Sequence, residues 1–165
     1  MDPRADERGG QADAEYVLIL SGMIYLSLGS NLGDRAENLR VARELLAEAL
    51  QAEPVCSAVL ETEAIGFEGP AFLNQVIGFE SDIAPEALLD RCQEIEEKLG
   101  RPRHAATYDP ATGRRLYSNR TIDIDILIYN DLEYHTDRLT LPHPQVQSRP
   151  FVRTLLDNIK QRNNL

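Results

Sequence analysis

Ten residues, Arg120-Thr121-Ile122-Asp123-Ile124-Asp125-Ile126-Leu127-Ile128-Tyr129, constrain this chain more than any others. β-Branched residues at every second position predict a strand, whose side chains alternate between two faces. Ile122, Ile124, Ile126 and Ile128 then share a face that needs a core. Asp123 and Asp125 share the opposite face, about 7 Å apart at Cα from the strand rise. Two neighbouring carboxylates repel, and one is driven toward its protonated form unless a cation intervenes. Mg²⁺ suits the pair, since it takes one or two carboxylates together with substrate phosphates. On its own the pattern also fits a solvated strand face, so the surrounding residues must decide.

The chain has 165 residues and a formal net charge of −10, which argues against a general nucleic-acid binder. It leaves room for a small phosphate-bearing ligand held by a local basic cluster. No apolar run approaches a membrane span. Cys56 and Cys92 lack metal-ligand spacing and read as thiols in a reducing cytoplasm. Residues 1–22 carry mixed charge and no basic leader, and are set aside as an extension; residues 23–165 read as one domain. No exposed apolar stripe stands out, so a monomer or weak dimer is expected.

Along the chain, Ile24–Leu28 predicts a strand, ended by the turn-forming Gly29-Ser30-Asn31-Leu32-Gly33. Asp34 and Glu37 form a capping-box pattern before a helix with Leu39, Ala42, Leu46, Ala49 and Leu50 at helical spacing. The residues of the Gly-Ser-Asn loop by themselves read as a plain strand-to-helix turn. Val55–Thr62 predicts a second strand and Phe72–Phe79 a third, with an irregular loop between them. Asn74 lies among apolar neighbours and needs a hydrogen-bonding partner or a ligand. Pro85 starts a second helix with a Leu88, Cys92, Ile95, Leu99 stripe and a stop at Gly100. Gln93, Glu96 and Glu97 fall off that stripe, on the predicted solvated face.

Arg101–Arg120 gathers Arg101, Arg103, Arg114, Arg115, Arg120 and His104 without apolar periodicity. A long basic loop before a carboxylate pair predicts a lid over a polyphosphate, since guanidinium forks match phosphate oxygens. Farther on, Pro142 and Pro144 fix the backbone around His143, and Leu155, Leu156 and Ile159 mark a final helix.

The predicted order is strand, helix, strand, strand, helix, strand: an α+β, ferredoxin-like βαββαβ core. It implies an antiparallel sheet with its helices on one face, plus the long basic loop. Four stretches carry more than fold. Tyr25-Leu-Ser-Leu-Gly-Ser-Asn-Leu-Gly-Asp34, Phe72-Leu-Asn74, Arg120-Thr-Ile-Asp-Ile-Asp-Ile-Leu127 and Leu139-Thr-Leu-Pro-His143 resemble the 6-hydroxymethyl-7,8-dihydropterin pyrophosphokinases of folate biosynthesis. The resemblance runs from about Met23 to about Phe151. It implies transfer of the β,γ-diphosphate of ATP to the hydroxymethyl group of a reduced pterin, leaving AMP. Asp123 and Asp125 would hold two Mg²⁺ ions bound with ATP. Arg120, His143 and Arg149 would contact phosphates, with Arg101 and Arg103 opening the catalytic loop. Gln93, Glu96 and Thr140 would line the nucleotide site. Phe72 and Phe151 would sandwich the pterin, Asn74 would read its edge, and Thr62 and Ile65 belong to the pterin-pocket loop. Against the family pattern, Tyr108–Leu116 looks inserted and Pro144 replaces an aromatic. No residue stands out as a general base.

Two rivals make different predictions. A Gly-Ser … Asp-x-Asp nucleotidyltransferase keeps its motifs on one strand–turn unit, whereas Ser30 and Asp123 are far apart in this sequence. A non-catalytic binding module has little use for five arginines in one loop.

Overall fold

A computed structural model describes residues 23–63, 69–100, 111 and 121–163. Strand β1 (Ile24–Ser30) leads into helix α1 (Arg35–Leu50). Asp34 caps α1, its carboxylate accepting the Glu37 N–H at 3.1 Å. The reciprocal half of the expected capping box gives way to an ion pair between Glu37 and Arg40 one turn on. Leu39, Ala42 and Leu46 form the buried stripe, and the helix ends where Gln51 turns left-handed at φ 49°.

The predicted strand over Val55–Thr62 is two short ones, β2 (Val55–Cys56) and β3 (Leu60–Thr62). Ser57 breaks it: its buried hydroxyl accepts the Val76 N–H at 2.9 Å and donates to the Ala58 carbonyl at 2.8 Å. Both pieces pair with β4 (Phe72–Phe79), which is followed by α2 (Pro85–Lys98) and β5 (Asp123–Tyr129). A hairpin of β6 (Tyr134–His135) and β7 (Thr140–Leu141), a single turn α3 (Gln145–Ser148) and helix α4 (Pro150–Arg162) complete the described chain. The sheet order is β2-β4-β1-β5 with β3 also on β4, and every pairing is antiparallel. The strands after α1 therefore lie one position out from β1, with β4 inserted between.

Helices cover both faces of this sheet, not one as expected. On the first face Ile24, Leu26, Leu28, Ile77, Phe79, Ile122, Ile124 and Ile126 pack with α1 and α2. On the second, Tyr25, Val76, Leu127 and Ile128 pack with Val152, Leu155, Leu156 and Ile159 of α4. Each of those four α4 side chains contributes about 1.5–3 kcal/mol by leaving water. The helix escaped expectation as a second layer because its apolar period says what it buries, not on which side.

A β-bulge accounts for one further departure. Leu26 pairs with Ile126 and Tyr25 with Ile128, so Leu127 has no partner across the β1–β5 ladder. The extra residue resets the alternation. Ile128, expected beside Ile122, Ile124 and Ile126, turns to the second face and joins Leu127 under α4. Among the described residues no helix is long and apolar enough to cross a membrane.

Candidate active site

At one end of the second face small and polar residues replace the apolar ones. Gly29 of β1 pairs with Asn74 on one side and with Asp123 on the other. Ser27 pairs with Val76 and with Asp125. Residues opposite one another in a ladder share a face. An amide and two carboxylates thus stand in adjacent rows across three strands, separated by a residue without a side chain. A Cβ at Gly29 would lie 3.3 Å from Asn74 Oδ1 and 3.6 Å from the Phe72 ring. Glycine keeps the floor between them clear.

Asn74 is buried, and its Nδ2 donates to Thr62 Oγ1 at 2.7 Å and to the Leu60 carbonyl at 3.4 Å. Thr62 pairs with Phe72 across the β3–β4 ladder. Thr62, Phe72 and Asn74, predicted as one pocket, are brought together. The Gly-Ser-Asn turn does more than join β1 to α1. Asn31 Nδ2 donates to the Pro70 carbonyl at 3.1 Å and Arg35 Nη1 to the Ala71 carbonyl at 2.7 Å. Asn38 holds the turn itself through Ser30 Oγ and the Leu32 carbonyl. The strand bearing Phe72 is therefore anchored at its entrance by the turn bearing Gly29.

Asp123 and Asp125 are half-buried and flank Ile124. The Ile124 N–H is taken by Glu96 Oε2 at 3.1 Å. Glu96 is accordingly buried, at 9% exposure, and not on a solvated face. It reaches back from the last turns of α2 to an edge strand whose outward amide needs an acceptor. Burial, followed by the negative charges of Glu96 and Asp125, pushes the Cys92 thiol up. Among the described residues no cluster of three or more His, Cys, Asp and Glu forms a closed metal cage. An oxygen-only carboxylate pair beside an open floor instead fits a hard cation completed by a ligand's own oxygens.

The third part of the site is the segment after β7. The Leu141–Pro142 peptide is cis. The His143 N–H donates to the carbonyl of the bulged Leu127 at 2.8 Å, tying this segment to β5. His143 Nδ1 accepts the Gln145 N–H at 3.0 Å, so a neutral imidazole carries its proton on Nε2. Gln145 Nε2 also donates to Asp125 Oδ2, at 3.4 Å. Arg149, between α3 and α4, sets its guanidinium 6.0 Å from the centre of the Phe151 ring, and Phe151 packs against the second core. Thr140 pairs with His135 in the hairpin. Gln93 Oε1 accepts from Arg138, which also meets Glu86 and Asp90 and so fastens the hairpin to α2.

The predicted residues Ile65, Arg101, Arg103 and Arg120, and the basic loop as a whole, lie outside the described residues, as do residues 1–22. Gly29, Arg35 and Gln145 were not singled out from sequence. Glycine after a strand signals only a turn, and nothing near Gln145 announces that its amide reaches back 20 residues to Asp125.

Comparison with known proteins identifies the family. Residues 25–161 match the family model described as 7,8-dihydro-6-hydroxymethylpterin-pyrophosphokinase. A 2-amino-4-hydroxy-6-hydroxymethyldihydropteridine pyrophosphokinase of Porphyromonas gingivalis is 40% identical over 139 residues, covering 83% of this chain and 90% of that protein. Proteins of the same name from Bacillus subtilis and Aquifex aeolicus are 35% and 38% identical, covering 86% and 78% of this chain and 80% and 74% of their own.

Proposed function

The chain belongs to the 7,8-dihydro-6-hydroxymethylpterin-pyrophosphokinase family, and on that premise we propose how its own residues carry out the transfer. The chain is a pyrophosphokinase of folate biosynthesis that places diphosphate on hydroxymethyldihydropterin. The donor we infer is ATP. The pterin's hydroxymethyl oxygen attacks the β-phosphorus and releases its proton to solvent, the bond from that phosphorus to the α,β-bridging oxygen breaks, and AMP departs with the bond's electrons.

The observation that carries this reading is the pairing of Gly29 with both Asn74 and Asp123. It puts a buried amide and a carboxylate pair one strand apart on either side of a bare backbone. Asn74, its Nδ2 held by Thr62, presents its Oδ1 acceptor to the flat edge of the heterocycle. Phe72 and Phe151 stack on its faces, beside Ile65 of the pocket loop. Asp123 and Asp125 hold magnesium, which when bound neutralises phosphate charge and aligns attacking and leaving oxygens. His143 presents an Nε2–H donor to a phosphate oxygen. Arg120 and Arg149 contact the phosphates, Arg101 and Arg103 belong to the catalytic loop, and Gln93, Glu96 and Thr140 border the nucleotide. Glu96 also keeps β5 straight between the two carboxylates by occupying the Ile124 amide. The unbridged Cys56 and Cys92 suit a cytoplasmic enzyme.

The nucleotidyltransferase alternative was disfavoured because Ser30 and Asp123 are distant in sequence. They are close in space, since Gly29 and Asp123 are ladder partners. Family membership decides against it instead. The test is product analysis with ATP, Mg²⁺ and the hydroxymethyl dihydropterin. Diphosphate transfer yields AMP; release of free pyrophosphate would refute it. Asp125→Asn is expected to abolish AMP formation while the pterin still binds.

A further inference from the structure

Gln145 bonds to Asp125 from the segment that carries His143. Its backbone N–H fixes His143 Nδ1 at 3.0 Å, and its side-chain amide reaches Asp125 Oδ2 at 3.4 Å. His143 is itself fastened to β5 by the Leu127 carbonyl at 2.8 Å. Residue 145 thus closes a ring from β5 through His143 and back to β5, with a carboxylate as one member. The donor is neutral. A lysine or arginine there would cancel the carboxylate's charge and compete with a cation; an amide orients the group and leaves its charge intact.

We propose that Gln145 is a positioning residue: its side-chain amide holds the Asp125 carboxylate in the orientation that takes the divalent cation, in register with His143. The proposal rests on the reading of Asp125 as a metal ligand, and the experiment separates the two. Two substitutions isolate the side chain, because both keep the backbone N–H that fixes His143. Gln145→Met keeps length and volume without a donor, and Gln145→Ala removes the arm.

Mn²⁺ serves as the probe, titrated by electron paramagnetic resonance in the presence of an ATP analogue with a methylene bridge between the α- and β-phosphorus. Pterin binding and thermal unfolding are measured on the same samples. Because the contact is long for a hydrogen bond, both variants should weaken Mn²⁺ binding by about threefold to tenfold, at or below the bottom of the range typical for a group behind a metal ligand. Pterin affinity and thermal midpoint should be unmoved. Wild-type Mn²⁺ affinity in Gln145→Met and Gln145→Ala would overturn the proposal, as would equal losses in Mn²⁺ and pterin affinity, which would mark a merely structural residue. Asp125→Asn is the control. If it too leaves Mn²⁺ affinity intact, the metal reading itself fails; if it alone abolishes binding, only the role of Gln145 is refuted.

Discussion

Glu96 shows how one residue's environment can invert its apparent role. By helical spacing it belongs with Gln93 and Glu97, away from the Leu88–Cys92–Ile95 stripe. It is buried because an edge amide 28 residues later needs an acceptor. No periodicity within α2 encodes that need. Removing the acceptor strands a buried N–H, so Glu96→Ala should cost about 1–3 kcal/mol in urea denaturation, with Glu96→Gln milder because its amide oxygen can still accept. Asn74 is the contrasting case. An amide amid apolar residues on a strand announces itself, and Thr62 Oγ1 is found to satisfy it. Gly29 falls between: its place at the end of a strand was legible, its place between Asn74 and Asp123 was not, because strand order is a tertiary fact. A methyl group there would press on Asn74 Oδ1 and touch the Phe72 ring. Gly29→Ala should therefore weaken pterin binding by about tenfold, near 1.4 kcal/mol by calorimetry, while leaving the sheet intact.

At the scale of elements, the acidic strand was the best-read part of the chain, and its one misreading is instructive. Strict alternation assigned Ile128 to the face of Ile122, Ile124 and Ile126. One unpaired residue in the ladder sends it to the opposite core. Alternation cannot foresee a bulge, because the signal is a register between two strands and not a property of either. The same packing yields a sharp test elsewhere in the sheet. A Cβ at Gly78 would lie 2.8 Å from Tyr25 Cε1 and 3.1 Å from Met23 Cε. The ring is buried and cannot swing clear, so Gly78→Ala should destabilise by about 1–3 kcal/mol. Paired with Tyr25→Leu, the added methyl should cost much less than it does alone, a coupling that a double-mutant cycle reads directly.

For the whole molecule, the antiparallel α+β architecture was legible; the second helical layer was not. That layer makes α4 indispensable. A chain ending at Arg149 would uncover Tyr25, Val76, Leu127 and Ile128, and should lose its cooperative thermal transition and bind a hydrophobic dye. Alkaline pH probes the other layer. The Cys92 thiol titrates higher folded than unfolded, so the stability it lends is whole below about pH 8.5 and is lost as pH rises through and above that value. The urea midpoint should fall across that range, less steeply in Cys92→Val, and Cys56 should alkylate before Cys92. If metal and alignment activate the hydroxyl, as proposed, the pH–rate profile should lack a steep limb from a single base; a profile with one would contradict that proposal. Finally, α4 carries Phe151 on its first turn and the four aliphatic residues that seal the sheet along the rest. On the proposed reading, the clasp for the heterocycle and the latch that keeps the sheet dry are one rod. Substitutions that loosen this helix should therefore lower substrate affinity and heat resistance together.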